Sequence, residues 1–204
     1  MSKYKVLGRG KSGSYFVECL LTEASIDYEF QTYSFDQTKE TEFKSINPLS
    51  RTPVLIAPSG QIIIESVAIF AHLIETFPTL APQVDTAERN AMWQQLSVLS
   101  TALFPTWFRF HNTQFIGPEQ IHQSIIDYIP HEETRWLDYL ENQLNPYLSG
   151  SSPLAVDFYF YMMTRWTPDR SRMLNNRPNI DHFISMMSSN QTVMTVNKKR
   201  GIDE

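Results

Sequence analysis

The chain has 204 residues, 42% hydrophobic and 13% aromatic, which is enough apolar material for a packed core and too much for a disordered chain. A formal charge of −5, with no basic run longer than Lys198-Lys199-Arg200, argues against nucleic acid or an anionic membrane as partner; that short cluster reads as a solvated tail. The single cysteine, Cys19, rules out an intrachain disulfide and suits a reducing compartment.

Lys3 and Lys5 lead into no apolar stretch of signal-peptide type, and no run is long enough to span a bilayer. The expectation is a cytoplasmic protein. Lys3–Leu7 reads as a short strand closed by Gly8-Arg9-Gly10. Ser12-Gly13-Ser14 offers hydroxyls suited to capping a helix, and from Tyr15 to Ala24 the apolar residues recur at helical spacing. Tyr28–Tyr33 reads as a second strand, and the polar stretch 38–46 as a short helix or loop. Two β-branched runs, Pro53–Ile56 and Gln61–Ile64, flank Pro58-Ser59-Gly60 and signal a hairpin. Helical period returns over Glu65–Phe77. The order β-α-β-α-β-β-α implies a parallel pair with an antiparallel hairpin added.

Pro78–Pro82 breaks the pattern and reads as a linker between domains 1–78 and 86–204. Beyond it the spacing predicts only helices: Thr86–Phe110, Pro118–Leu144 with a perturbation near Pro130, Pro153–Trp166 and Ile180–Val196. An α/β unit followed by an all-α unit is a restrictive architecture. The five histidines show no metal-ligand spacing, and no phosphate loop, dinucleotide fingerprint or hydrolase elbow is present, so no metal is expected.

Two segments carry a family resemblance. Asn47-Pro48-Leu49-Ser50-Arg51-Thr52-Pro53-Val54-Leu55, followed by Glu65-Ser66-Val67-Ala68-Ile69, resembles paired elements of the glutathione S-transferase superfamily. Leu148-Ser149-Gly150, running on to Asp157, resembles the segment that opens a core helix of its helical domain, and Arg177-Pro178-Asn179-Ile180 resembles a frequent C-terminal element. The chain is thus similar to cytosolic-type members, beta-like or theta-like. The resemblance implies an α/β thioredoxin-like N-terminal domain, an all-α C-terminal helical bundle, glutathione as co-substrate, a small hydrophobic electrophile and a homodimer.

It also implies a site. Proline lacks an N–H and suits a strand start, and a cis Thr52-Pro53 bond would turn the backbone of Thr52 outward to pair with the cysteinyl backbone of glutathione. Glu65-Ser66 stands where a strand becomes a helix, and helix-start N–H groups attract the γ-glutamyl carboxylate; read without the family, the pair is a helix cap. Lys39 and Arg51 are candidates for the glycyl carboxylate, with a solvated surface role as the alternative for Lys39.

Family members lower the thiol pKa, about 8.5 unperturbed, with a donor near the first helix start. Gly13 falls where the beta class carries cysteine, and Phe104 where it carries histidine, so both beta-class groups are missing. Ser14 and Ser12 are the remaining hydroxyl donors, capping being their alternative role; Cys19 lies deeper and reads as core. Phe104, Trp107, Phe108 and Trp166 are expected either to line an apolar electrophile pocket or to pack as helical core. The leading function is thiol activation for conjugation. The alternatives are a non-catalytic ligand-binding or interaction module of the same fold, and a glutathione-dependent reductase or peroxidase.

Overall fold

A computed structural model describes residues 3–10 and 12–202. The chain forms two compact units: residues up to Ala81 together with those from Ser188 onward, and Pro82–Met187. The first crossing between units lies between Ala81 and Pro82. The second, at Ser188, has no counterpart in the sequence reading.

The first unit is thioredoxin-like. Strands β1 (Tyr4–Gly8), β2 (Tyr28–Thr32), β3 (Val54–Ile56) and β4 (Ile62–Ile64) form one sheet in the order β2-β1-β3-β4. β1 runs parallel to β2, while β3 is antiparallel to both β1 and β4. Gly60 takes φ +84° in the hairpin turn, a region glycine enters without steric cost. Helices α1 (Ser14–Glu23), α2 (Thr41–Ile46) and α3 (Ser66–Thr76) complete the α/β part. Phe16, Val17, Leu20 and Leu21 of α1 and Ile69, Phe70 and Leu73 of α3 are buried. Leu7, Phe43 and Val54 form a cluster under Tyr33 and Ile46.

The second unit is helical. It contains α4 (Ala87–Ser97), α5 (Phe104–His111), α6 (His122–Gln143), α7 (Ala155–Thr164), α8 (Arg170–Leu174) and α9 (Pro178–Ser188), the last ending at the unit boundary. The predicted helix 86–110 is continuous in direction but widens to a π-helical stretch at Val98–Leu103. Pro105 follows directly; it has no N–H for the carbonyl four residues back, and the wider turn accommodates that loss. α6 runs through Pro130 without a break. Every residue of α7 is buried, as expected of a helix apolar on all sides.

One expectation is corrected. Ile180–Val196 is not one helix: Asn190 ends the run and caps α10 (Gln191–Arg200), accepting from the N–H groups of Thr192 and Val193 at 2.9 and 3.2 Å. α10 packs on α1 in the first unit. α7 is capped without a hydroxyl. The N-cap is Leu154, whose side chain cannot accept, and Asp157 takes the N–H groups of Leu154 at 3.0 Å and Leu148 at 2.7 Å.

Candidate functional site

The loop before β3 is built on Asn47, which is fully buried. Its Nδ2 donates to the Arg51 carbonyl at 2.7 Å and its Oδ1 accepts from Leu49 N at 3.0 Å, so one amide fixes both ends of the turn. Ser50 takes φ +56° within it. The loop delivers the Thr52–Pro53 bond, which is cis. Thr52 Oγ1 is buried and finds no partner among the described residues.

Gly13, the N-cap of α1, lies against this proline: a methyl built on Gly13 would stand 2.9 Å from Pro53 Cδ. Any larger residue there would push the start of α1 off the loop. The helix start and the cis-proline turn, distant in sequence, therefore form one surface.

At the end of β4, Glu65 adopts φ +68°, ψ 127°. For a residue with a Cβ this conformation costs about 1–3 kcal/mol and persists only where the surroundings enforce it. It turns the chain sharply from strand to helix, so that α3 begins at Ser66. The N–H groups of that first turn have no intrahelical partner and carry the positive end of the dipole.

Both candidate thiol donors are buried and engaged. Ser14 is fully buried and Ser12 is 6% exposed, with 2.9 Å between their hydroxyl oxygens. Ser12 Oγ donates to the Arg9 carbonyl at 3.0 Å and accepts from Arg9 N and Ser14 N, each at 3.3 Å. Ser14 Oγ accepts from Arg200 Nη2 at 2.9 Å. The capping role read for these serines is realised only through Ser12. Cys19 is completely buried in α1, in agreement with its reading as core.

Lys39 is exposed, pairs with Asp36 at 3.0 Å and lies over the Phe35 ring at 4.1 Å. Arg9 stands over the same ring at 5.5 Å. Burial, and then the charge of neighbouring Arg51, lower the pKa of Arg9. Two cations thus share one phenyl group, and Arg51 is close enough to Arg9 to act on its charge. Arg9 escaped the sequence reading because Gly8-Arg9-Gly10 looked like a turn signal alone.

Arg200 was also missed, and its reading as solvated tail is corrected. Its side chain is 6% exposed and pairs with Glu18, itself 2% exposed. The spacing Val193, Val196, Asn197, Arg200 would have placed it on the buried face of a helix starting after Asn190.

In the helical unit Phe104 stacks toward Phe108 at 5.9 Å and meets Trp166 edge-on at 6.1 Å. Phe104 is 39% exposed, so these three rings form a partly open apolar cluster. Of the two roles read for Trp107, it takes that of core: it is 2% exposed and its Nε1 donates to Glu133 Oε2 at 2.7 Å.

The sheet order, the cis-proline turn and the strained strand-to-helix junction define a thioredoxin-like domain joined to a helical region. Comparison with known proteins agrees. Residues 2–75 match the family model for the glutathione S-transferase N-terminal domain. The uncharacterized GST-like protein YncG of Escherichia coli (strain K12) is 32% identical over 184 residues, which cover 86% of this chain and 88% of that protein. The chain belongs to the glutathione S-transferase superfamily. Among solved structures, a glutathione transferase homologue from Sulfitobacter with bound glutathione superposes with a TM-score of 0.87 at 18% identity, covering all of both chains. The glutathione S-transferase from Xylella fastidiosa gives 0.88 at 16% identity, covering 98% of this chain and all of that one.

Proposed function

We propose that the protein binds glutathione on its first unit and activates the thiol for attack on a small apolar electrophile. The observation that carries this reading is the strained Glu65 at the start of α3 next to the Thr52–Pro53 turn, the two being brought side by side by the pairing of Val54 with Ile64. Ser66 and the helix-start N–H groups receive the γ-glutamyl carboxylate, the Thr52 backbone pairs with the cysteinyl residue, and Arg9, Arg51 or Lys39 receives the glycyl carboxylate. Glutathione bound in the Sulfitobacter homologue supports the ligand class. The thiol loses its proton to water; the thiolate forms a carbon–sulfur bond as the leaving group departs with its electron pair. Phe104, Phe108 and Trp166 supply the apolar surface for the electrophile. The protein acts as a cytoplasmic homodimer.

One observation favours a second reading, a binding module without catalysis: the Ser12 and Ser14 hydroxyls are already engaged within the protein. Calorimetric titration with glutathione, followed by conjugation to an aromatic halide, tests both. Binding with conjugation supports the transferase, binding without conjugation the module, and no binding at millimolar glutathione defeats both.

A further inference from the structure

The C-terminal helix reaches the start of α1 through one side chain. Arg200 Nη2 donates to Ser14 Oγ at 2.9 Å, its Nη1 donates to the Gly10 carbonyl at 2.7 Å, and its Nε pairs with Glu18. The guanidinium lies over Phe30 at 4.8 Å and Tyr15 at 5.4 Å. Tyr15 in turn donates to Asn197 of α10 at 2.7 Å, and Tyr28 donates to Glu18 at 3.1 Å. The cation is therefore held on every side by α1, β2 and the loop before α1.

The direction of the serine pair follows from counting protons. Arg200 occupies one acceptor site of Ser14. If Ser12 also donated to Ser14, the Arg9 carbonyl would lose its 3.0 Å bond from Ser12 and take one from Ser14 at 3.3 Å. The shorter contacts are all used when Ser14 donates to Ser12 and Ser12 donates to Arg9 O. Ser12 is the less buried of the two and adjoins Gly13, which touches Pro53. Gly13 adjoins both serines, so exposure separates them: Ser12, 6% exposed against 0% for Ser14, is the hydroxyl open to a sulfur held by the Thr52–Pro53 turn.

We infer that Arg200 is a positioning residue for thiol activation, acting through Ser14 on Ser12, and that Ser12 is the group that touches the thiolate. This rests on the glutathione-activating reading above. Glu18 compensates the charge of Arg200, so the effect passes as hydrogen-bond polarisation along Arg200, Ser14 and Ser12 rather than as a bare field. Lys199, over the Tyr28 ring at 4.7 Å, is another charged group near the cation, and the Arg9 backbone carbonyl lies 3.5 Å from Nη1. On ligand binding the Ser12 proton turns from Arg9 O to the sulfur. A hydrogen bond to the charged form lowers its pKa.

The test is ultraviolet titration of the glutathione thiolate bound to wild type, Arg200→Met, Ser14→Ala and the double variant, with affinity measured by calorimetry in parallel. Each single variant should raise the apparent thiol pKa by about one unit, a tenfold change in the acid dissociation constant, and the double variant by no more than either single one. A single variant that titrates like wild type, or a double variant whose shift is the sum of the two, overturns the inference. Arg200→Met leaves Glu18 buried without its partner; if it does not fold, Arg200→Met combined with Glu18→Gln, which leaves no unpaired carboxylate, takes its place beside Ser14→Ala. Wild type that binds glutathione with an unshifted thiol overturns the relay and leaves glutathione binding standing. Wild type that does not bind defeats the proposed function itself.

Discussion

Gly8 lies directly beneath Ser14: a methyl built on Gly8 would come within 2.3 Å of both Ser14 Cβ and Oγ. The end of β1 and the start of α1 are packed too closely for any side chain between them. Gly8→Ala should therefore displace Ser14 or the strand end and destabilise the fold by ~1–3 kcal/mol, the usual range for overpacking. It should also weaken thiol activation in whatever fraction folds. Denaturant midpoints and thiolate titration read the two effects separately, and a variant with wild-type values in both would refute the close packing.

Ser66 opens α3 next to the strained Glu65. Removing its hydroxyl leaves a bound carboxylate short of a donor, at a cost of ~1–3 kcal/mol for a charged partner. Ser66→Ala should weaken glutathione binding by that amount while leaving thermal stability nearly unchanged. Equal affinities in calorimetry would show that the backbone N–H groups of the helix start suffice.

The β-α-β-α-β-β-α order was readable from sequence because each strand is bounded by glycine, proline or serine and each helix repeats its apolar residues every three or four positions. The Thr52–Pro53 turn and the Glu65-Ser66 junction were readable because their chemistry is local: a proline at a strand start, a hydroxyl at a helix start. What escaped was long-range. Nothing near Arg200 in sequence reports Glu18 or Ser14, 182 and 186 positions away. Pocket and core could not be told apart for Trp107 because its partner Glu133 sits on another helix. The break at Asn190 was legible in principle, since Ser188-Ser189-Asn190 is a capping cluster inside an otherwise helical run.

Asp157 predicts a pH dependence of stability. Burial pushes its pKa from the ordinary 3.8 up to about 6, against the opposing hydrogen bonds from the Leu154 and Leu148 N–H groups. The folded state thus holds this proton more tightly than the unfolded one. The stabilising share is complete below about pH 4 and is lost as pH rises through about 6, amounting to about 3 kcal/mol. Urea midpoints between those pH values should fall for wild type relative to Asp157→Asn, whose side chain does not titrate. Parallel curves for the two proteins would contradict it.

The proposed dimer has a direct test on β4. Ile62 is 46% exposed and Val67, just beyond the strand, is 38% exposed. In a two-fold assembly a substitution near the axis is introduced twice. Wild type should sediment at twice 23.7 kDa, and Ile62→Glu should shift the equilibrium toward single chains if this face is covered. Sedimentation of wild type as one chain at high concentration would end the proposal.

Trp107 and Phe104 should separate core from pocket. Glu133 is 1% exposed and serves two partners, accepting from Trp107 Nε1 on Oε2 and pairing with Arg172 through Oε1. Trp107→Phe strands one oxygen of a buried carboxylate, so it should cost ~1–3 kcal/mol of stability and leave the KM for both substrates unchanged. Phe104 is 39% exposed and packs on Phe108 and Trp166, so truncating it gives up a partly buried ring and should cost ~1–2 kcal/mol of stability. If its ring instead covers an apolar electrophile, Phe104→Ala gives up apolar contact worth ~1 kcal/mol. The KM for that electrophile should then rise about fivefold, with the KM for glutathione untouched. The pair of variants is informative together. Should Trp107→Phe raise the electrophile KM while Phe104→Ala does not, the apolar surface lies elsewhere on the helical unit, and the cluster of Phe104, Phe108 and Trp166 is packing alone.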